Sequence, residues 1–170
     1  MTRPFPHGSA SEKYPENRIN NPSEGIYMSV KQLSVFAENR NGSIYEITKI
    51  LSTAGINLRA FSIADTQNYG ILRLIVSDPR AAAMALSTEG KIVSVTDVVS
   101  VQIPDEEGGL TELLRVLSEA DISVEYLYAF VAAQGGHAYA VIRVEDNAKT
   151  EAILGENGFT LLNDEALRQG

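Results

Sequence analysis

The feature of this 170-residue chain that most constrains its fold is an internal duplication. When the chain is shifted by 66 positions, the segment that begins at Leu33 matches the segment that begins at Val99. The coinciding glycines and apolar residues are Gly42/Gly108, Ile44/Leu110, Ile47/Leu113, Leu51/Leu117 and Ile56/Ile122. A repeat of this length marks a structural unit that recurs. The sequence therefore predicts two copies of one unit.

Each copy shows the order strand, helix, strand, strand, helix, strand. In the first copy "VKQLSVF" alternates as a strand does, and "NGSIYEITKILSTAG" places apolar residues at helical spacing before Gly55. Two strands follow around the loop "TQNYG", then a helix opened by Pro79 and a fourth strand, "KIVSVTDV". A βαββαβ unit is the ferredoxin-like motif. We expect an α+β fold of two tandem ferredoxin-like units, with antiparallel sheets and helices on one face.

The predicted boundaries follow the duplication. Residues 29–98 form the first domain and residues 99–167 the second. Residues 1–28 contain four of the six prolines among Gly, Ser, Asn and Glu, without apolar periodicity. Such a segment cannot bury enough apolar surface to offset the entropy of ordering. We expect it to be a disordered extension.

Composition excludes several classes of function. The formal net charge is −8 with a pI near 4.8, so the surface repels nucleic acid and anionic membranes. The absence of cysteine excludes disulfides and thiolate zinc sites. We find neither a membrane-spanning apolar run nor a secretory signal, and we expect a cytoplasmic protein.

The first loop and helix resemble the ACT domain, a small regulatory βαββαβ module. The family pattern runs Asn-x-Pro-Gly-x-Leu into the helix and ends in Gly-Ile-Asn-Ile at the second strand. Here the two segments read "NRNGSI", residues 39–44, and "GINL", residues 55–58. Asn41 replaces the customary proline, which we expect to loosen the loop. The resemblance covers both copies and is closest to stand-alone tandem ACT proteins of bacteria.

The resemblance nominates an amino-acid site in the first copy. In amino-acid-binding ACT domains the matching asparagines contact the effector, which implies roles for Asn39, Asn57 and the Gly42 amide. The predicted ligand-binding set is Asn39, Asn41, Gly42, Ser43, Ile44 and Asn57. The chemistry agrees, because a glycine lets backbone N–H groups approach a ligand, a helix N-terminus favours a carboxylate, and asparagine both donates and accepts. The alternative is that Asn39 and Asn41 satisfy a turn and that Asn57 caps a strand edge.

The second copy departs from this pattern. Asp105, Glu107 and Ser123 stand where the first copy has Asn39, Asn41 and Asn57. Carboxylates beside a helix N-terminus compete with an incoming carboxylate. The consecutive acids Asp105–Glu107 also lack the spacing of a calcium loop. We interpret them as a solvated turn and prefer the first copy as the ligand site.

We expect neither catalysis nor a cofactor. The chain has two histidines, His7 and His137, and it contains no nucleophile elbow, phosphate-binding loop, dinucleotide fingerprint or metal-spaced cluster. The sequence therefore predicts a protein that is not an enzyme and has no metal site.

Two functions remain open. The first is a regulatory protein that senses a free amino acid through its ACT domains and modulates amino acid metabolism. The second is a tandem ACT scaffold or regulatory subunit, like the small subunit of acetolactate synthase, that binds a metabolic enzyme and no metabolite. The segment "VEYLYAFVA" is apolar on both faces, so we expect its open face to be buried. A homodimer through ACT sheets would bury it, and so would pairing of the two copies within one chain.

Overall fold

The elements of the chain follow the order that the duplication predicts. The computed structural model describes residues 28–65, 69–131 and 136–169. The extension predicted over residues 1–28 lies outside the described residues apart from Met28. The first repeat contains β1 (Val30–Glu38), α1 (Ser43–Thr53), β2 (Leu58–Asp65), β3 (Tyr69–Val76), α2 (Pro79–Thr88) and the first half of β4 (Val93–Pro104). The second repeat contains the rest of β4, α3 (Gly109–Glu119), β5 (Val124–Val131), β6 (His137–Val144), α4 (Asn147–Glu156), β7 (Thr160–Leu162) and α5 (Asp164–Gln169).

Strand β4 belongs to both repeats. It is 12 residues long, and the boundary predicted between residues 98 and 99 falls inside it. Its first half pairs with β1 from Val93 to Val98, and its second half pairs with β6 from Val99 to Pro104. The segment between Val93 and Ile103 contains neither glycine nor proline and is rich in β-branched residues, so nothing in it ends a strand.

The sheet has the ferredoxin-like order twice. Its strands run β2-β3-β1-β4-β6-β5, and β7 pairs with the second half of β4. All the pairings are antiparallel. The order is therefore β4-β1-β3-β2 in the first repeat and β7-β4-β6-β5 in the second. This confirms the predicted α+β fold of two tandem ferredoxin-like units.

Each repeat has its own core between its part of the sheet and two helices, α1 and α2 in the first repeat and α3 and α4 in the second. In the first repeat, buried residues of β1 and β3 such as Leu33 and Leu74 contact Ile47 and Leu51 of α1 and Leu86 of α2. The second core is built in the same way and contains Val99, Val101, Leu113, Leu117, Ile142 and Leu154. Helices cover the same face of each half-sheet, as alternation along the strands predicts.

A third apolar cluster joins the faces of the sheet that the helices leave open. Its buried members come from both repeats and are Val30, Ala60, Ile75, Val98, Val141 and Leu162. Tyr128, Phe130 and Tyr139 of the second repeat pack against them. The two half-sheets therefore face each other, and β4 is the strand they share.

Polar side chains fix this contact. Gln32 of β1 is fully buried and donates to the hydroxyl of Tyr126 at 2.7 Å, and its amide oxygen accepts from the hydroxyl of Tyr128 at 3.0 Å. The guanidinium of Arg73 lies 3.9 Å from the centre of the Tyr126 ring. Burial raises the pKa of Tyr128 well above its usual value. A tyrosine hydroxyl is protonated at physiological pH, and the raised pKa extends this to more alkaline pH, so Tyr128 can donate to Gln32.

The open face of β5 is thus covered within one chain, which is the second of the two alternatives above. On the face of the sheet that the helices cover, the end of β5 extends beyond the core, and Val131 is 63% exposed there. The third cluster does not require a second copy, so a homodimer needs support from other surfaces.

Candidate functional site

The predicted ligand loop connects β1 to α1. Gly42 precedes the helix with φ +84°, in the left-handed region that residues with a Cβ rarely adopt. Apart from Gly42 itself and its two chain neighbours, no described residue has a heavy atom within 4 Å of the position that a Cβ would take. Glycine is therefore required here by backbone conformation and not by lack of space.

Helix α1 begins without a side-chain cap. The same is true of α3, whose preceding residue Gly108 has φ +92°. Helices α2 and α4 differ, because the carboxylates of Asp78 and Asp146 accept hydrogen bonds of 2.9 Å from first-turn amides. The first N–H groups of a helix have no partner within it. In α1 and α3 the first N–H groups, those of Ser43 and Gly109, donate to the carbonyls of Arg40 and Glu106 at 3.3 and 3.2 Å. The other first-turn amides of these two helices receive no side-chain cap and are candidates for a ligand.

The structure brings five of the six predicted site residues together. Asn39, Asn41, Gly42 and Ile44 are exposed around the start of α1, whereas Ser43 is buried. Asn57 lies at the other end of the helix. Its N–H donates to the hydroxyl of Ser77 at 3.0 Å, and its carbonyl accepts from the Ser77 N–H at 2.9 Å.

The length of α1 separates Asn57 from the loop. The helix has 11 residues, which corresponds to about 16 Å. A single amino acid cannot contact Asn39 and Asn57 of the same repeat across this distance. The resemblance nominates both asparagines as ligand contacts without assigning them to one chain, and within one chain they lie at opposite ends of α1.

A groove of about 670 Å³ runs along the outer side of α1 and ends at Asn57. Tyr45, Thr48, Lys49 and Ser52 line it. No motif in the sequence marks these residues as a site, although they recur at the 3.6-residue spacing of one helix face. The groove does not include Asn39 or Asn41.

A set of ion pairs crosses the loop, and it was also missed. The Nε of Arg40 donates to Glu38 at 2.8 Å, and its two terminal nitrogens donate to the two carboxylate oxygens of Glu46 at 2.8 and 2.6 Å. Lys91 contributes a further bond of 3.1 Å to Glu46. The hydrogen bond from Arg40, followed by that from Lys91, lowers the pKa of Glu46 to about 2.

The equivalent place in the second repeat is acidic. A groove of about 460 Å³ lies at the start of α3 and is lined by Glu106, Glu107, Glu112 and His137. A Cβ on Gly109 would collide with the carbonyl oxygen of Pro104. Within the described residues, no three or more histidine or carboxylate side chains are grouped so that they could hold a metal ion.

The described part of the chain contains no helix that is both long and apolar enough to cross a membrane.

Known structures with this architecture include a protein from Bacteroides thetaiotaomicron. It is 38% identical to the chain, the alignment covers 84% of this chain and 98% of that protein, and the TM-score is 0.79. The regulatory subunit of aspartate kinase from Thermus flavus is 14% identical, with 74% and 90% coverage and a TM-score of 0.52. The corresponding subunit from Thermus thermophilus, in its ligand-free form, is 15% identical, with 74% and 88% coverage and a TM-score of 0.53. At such identities the two kinase subunits show a shared fold only.

A comparison with curated protein sequences gave no match. The ACT domain pair family matches residues 28–169, which include both repeats and the strand they share. The chain therefore belongs to the ACT domain pair family.

Proposed function

We propose that this protein is a cytoplasmic regulator that senses a free amino acid at the loop between β1 and α1. The observation that carries the proposal is the uncapped start of α1 behind Gly42, next to the exposed amides of Asn39 and Asn41. Membership of the ACT domain pair family supports a regulatory role, and the chemistry of the loop supports the amino acid.

The loop suits a zwitterion. The first-turn amides and the positive end of the helix dipole favour a carboxylate. The side-chain oxygens of Asn39 and Asn41 can accept from an ammonium group. The charge of Arg40 is balanced by Glu38 and Glu46, so the loop does not present a free cation that would favour any anion. The second-repeat loop has three carboxylates at these positions and opposes a carboxylate ligand.

Asn57 can complete this site only from a second copy. Two chains with their α1 helices side by side and antiparallel would bring Asn57 of one copy next to Asn39 of the other. Such a pair would also cover apolar side chains on β2, an edge strand of the sheet. Phe61 and Ile63 are 64% and 47% exposed there. We therefore propose a homodimer in which each ligand contacts both chains.

The same exposed side chains support the alternative function. An edge strand that carries Phe61 and Ile63 is a surface on which a metabolic enzyme could bind. In that case the protein would act as a regulatory subunit without a metabolite. The acidic loop of the second repeat, which does not suit a carboxylate ligand, is also compatible with this alternative.

A thermal-shift screen with the twenty standard amino acids tests the proposal. A ligand that binds only the folded state at a hundred times its Kd stabilises it by about 2.7 kcal/mol. That gain raises the Tm by several degrees in a protein of this size. Sedimentation with and without the selected amino acid would test the dimer. A protein that no amino acid stabilises would favour the enzyme-binding alternative.

A further inference from the structure

The ion pairs across the ligand loop have a role beyond surface charge. We infer that Arg40, with Glu38 and Glu46, forms a latch that holds the loop in the conformation that accepts the ligand. Arg40 is thus a positioning residue for the amino-acid site, and this inference rests on the proposed function. We refer to these three residues as the Arg40 latch.

The latch ties the two ends of the loop together. Glu38 is the last residue of β1, and Glu46 lies in the first turn of α1. The side chain of Arg40 donates hydrogen bonds to both glutamates, and its contact with Glu46 is bidentate. The backbone of Arg40 adds two hydrogen bonds. Its N–H donates to the carbonyl of Glu38 at 2.8 Å, and its carbonyl accepts from the N–H of Ser43 at 3.3 Å. Every element that borders the loop is therefore connected through this residue.

A loop without proline needs such a connection. Asn41 stands where proline would fix φ, so the backbone of the loop is free to sample other conformations. The sequence predicted a loosened loop for this reason. Bidentate arginine–carboxylate contacts combine attraction with fixed geometry, and a binding loop that is ordered beforehand loses less entropy when the ligand arrives. The Arg40 latch supplies that order.

Lys91 extends the latch to the connection between α2 and β4. Its ammonium bonds to the same carboxylate of Glu46 at 3.1 Å, and its side chain is only 21% exposed. Glu46 thus remains paired with one cation when Arg40 is replaced. A variant of Arg40 therefore disturbs the loop without leaving Glu46 unpaired.

The second repeat cannot form this latch. Glu106 occupies the position of Arg40, and Phe159 occupies the position of Lys91. The repeat that lacks the neutral asparagines thus also lacks the cations that hold the loop. The site chemistry and the latch occur together in the first repeat, which is the arrangement expected of a latch that serves the site.

The test uses Arg40→Gln in the full chain, with Arg115→Gln as the matched control. Arg115 makes the same kind of contacts, with Glu112 and Glu119 along α3, and its side chain is 48% exposed, close to the 47% of Arg40. Its contacts do not cross a loop. Arg40→Lys, which keeps the charge but not the bidentate geometry, should behave between the wild type and Arg40→Gln.

Two measurements are made on each protein. Hydrogen exchange in the absence of ligand reports on the amides of residues 39–46. Thermal-shift titration with a mixture of the twenty standard amino acids gives the concentration for half-maximal stabilisation. We expect Arg40→Gln to accelerate exchange in this segment and to raise that concentration roughly 2- to 5-fold, the upper part of the range expected for losing an exposed ion pair. Arg115→Gln should change neither.

Unchanged exchange in residues 39–46 of Arg40→Gln would overturn the latch, whatever the titration shows. Faster exchange with unchanged half-maximal stabilisation would overturn its role in ligand binding. If the mixture fails to stabilise even the wild type, the proposed function fails and the positioning role fails with it. Faster exchange in residues 39–46 of Arg40→Gln would then show only that Arg40 stabilises the loop.

Discussion

The two repeats share a backbone but differ in the chemistry of their first loops. Both loops end in a glycine with positive φ, Gly42 at 84° and Gly108 at 92°, and both lead into a helix without a side-chain cap. Residues 39–41 are Asn-Arg-Asn, whereas residues 105–107 are Asp-Glu-Glu. The fold therefore keeps the shape of this loop whether or not its side chains suit a ligand.

The open faces of the two repeats also differ, in a way that lets them pack together. The equivalent positions on β2 and β5 are Ala60/Tyr126, Ser62/Tyr128 and Ala64/Phe130. Two identical faces with three aromatic residues each would leave neighbouring bulky side chains in competition for the same space. Small residues on one face and large residues on the other allow close packing. The two repeats therefore differ both in the loop before the first helix and in the open face of the sheet.

The largest effect is expected from equivalent core substitutions. Leu51→Ala and Leu117→Ala remove fully buried side chains of the first and second cores, and each should lower the free energy of unfolding by about 2–5 kcal/mol. Because β4 and the third cluster join the repeats, we expect both variants to shift one common transition. Urea denaturation followed by circular dichroism measures this. Two transitions, each moved by one variant only, would show that the repeats unfold separately.

The next effect concerns the ligand loops. Asn39→Ala should weaken binding of the selected amino acid by roughly 5- to 150-fold, because a ligand group that becomes buried on binding would lose its hydrogen-bonding partner, which costs about 1–3 kcal/mol. Asn57→Ala should weaken binding to a similar extent, because we propose that Asn57 of a second copy contacts the same ligand. The matched changes Asp105→Ala and Ser123→Ala should hardly alter the affinity measured by calorimetry. Equal losses in both repeats would mean two working sites, and no loss in the first would leave its loop a simple turn.

A smaller effect is expected at the contact between the open faces. Tyr128→Phe removes the donor to the buried amide oxygen of Gln32 and should destabilise the protein by about 1–2 kcal/mol. Tyr139→Phe is the control, since Tyr139 packs on the same cluster but does not bond to Gln32. Thermal unfolding of the two variants gives the comparison. Equal changes would mean that the Gln32 contact contributes nothing specific to the pairing of the repeats.

Much of the fold could be predicted because its signals are local and occur twice. Glycine positions and apolar spacing marked the helices, and the duplication confirmed them by repetition. The continuous strand β4 could not be predicted, because the boundary was inferred from the offset between the repeats. An offset locates equivalent residues but does not say that the chain turns there, and residues 93–103 carry no turn signal.

The candidate site was predicted less completely. The loop from Asn39 to Ile44 is contiguous in sequence, so its residues necessarily lie together. Asn57 was grouped with them by resemblance, and only the length of α1 shows that one chain cannot unite them. Arg40 was missed because its partners, two residues before and six residues after it, follow no strand or helix period.

The smallest effect is a difference in acid titration between equivalent glutamates. The pKa of Glu46 is lowered from 4.5 to about 2 by Arg40 and Lys91, and that of Glu112 is lowered by Arg115 alone. A carboxylate that is more acidic in the folded state stabilises that state above pH 4.5, and the contribution disappears as the pH falls toward 2. Both groups are exposed, so the effect on stability is small and the titration itself is the better measurement.

Carbon-13 NMR of the two carboxyl groups would follow this titration. Arg40→Gln should raise the pKa of Glu46 only part of the way to 4.5, because Lys91 remains bonded to it, and should leave Glu112 unchanged. Arg115→Gln should return Glu112 to the ordinary range and leave Glu46 unchanged. A Glu46 that titrates near 4.5 in the wild type would show that the Arg40 contacts are not maintained in solution. Agreement with the expected order would show that the first-repeat loop is held by two cations and that the start of the second-repeat helix is held by one.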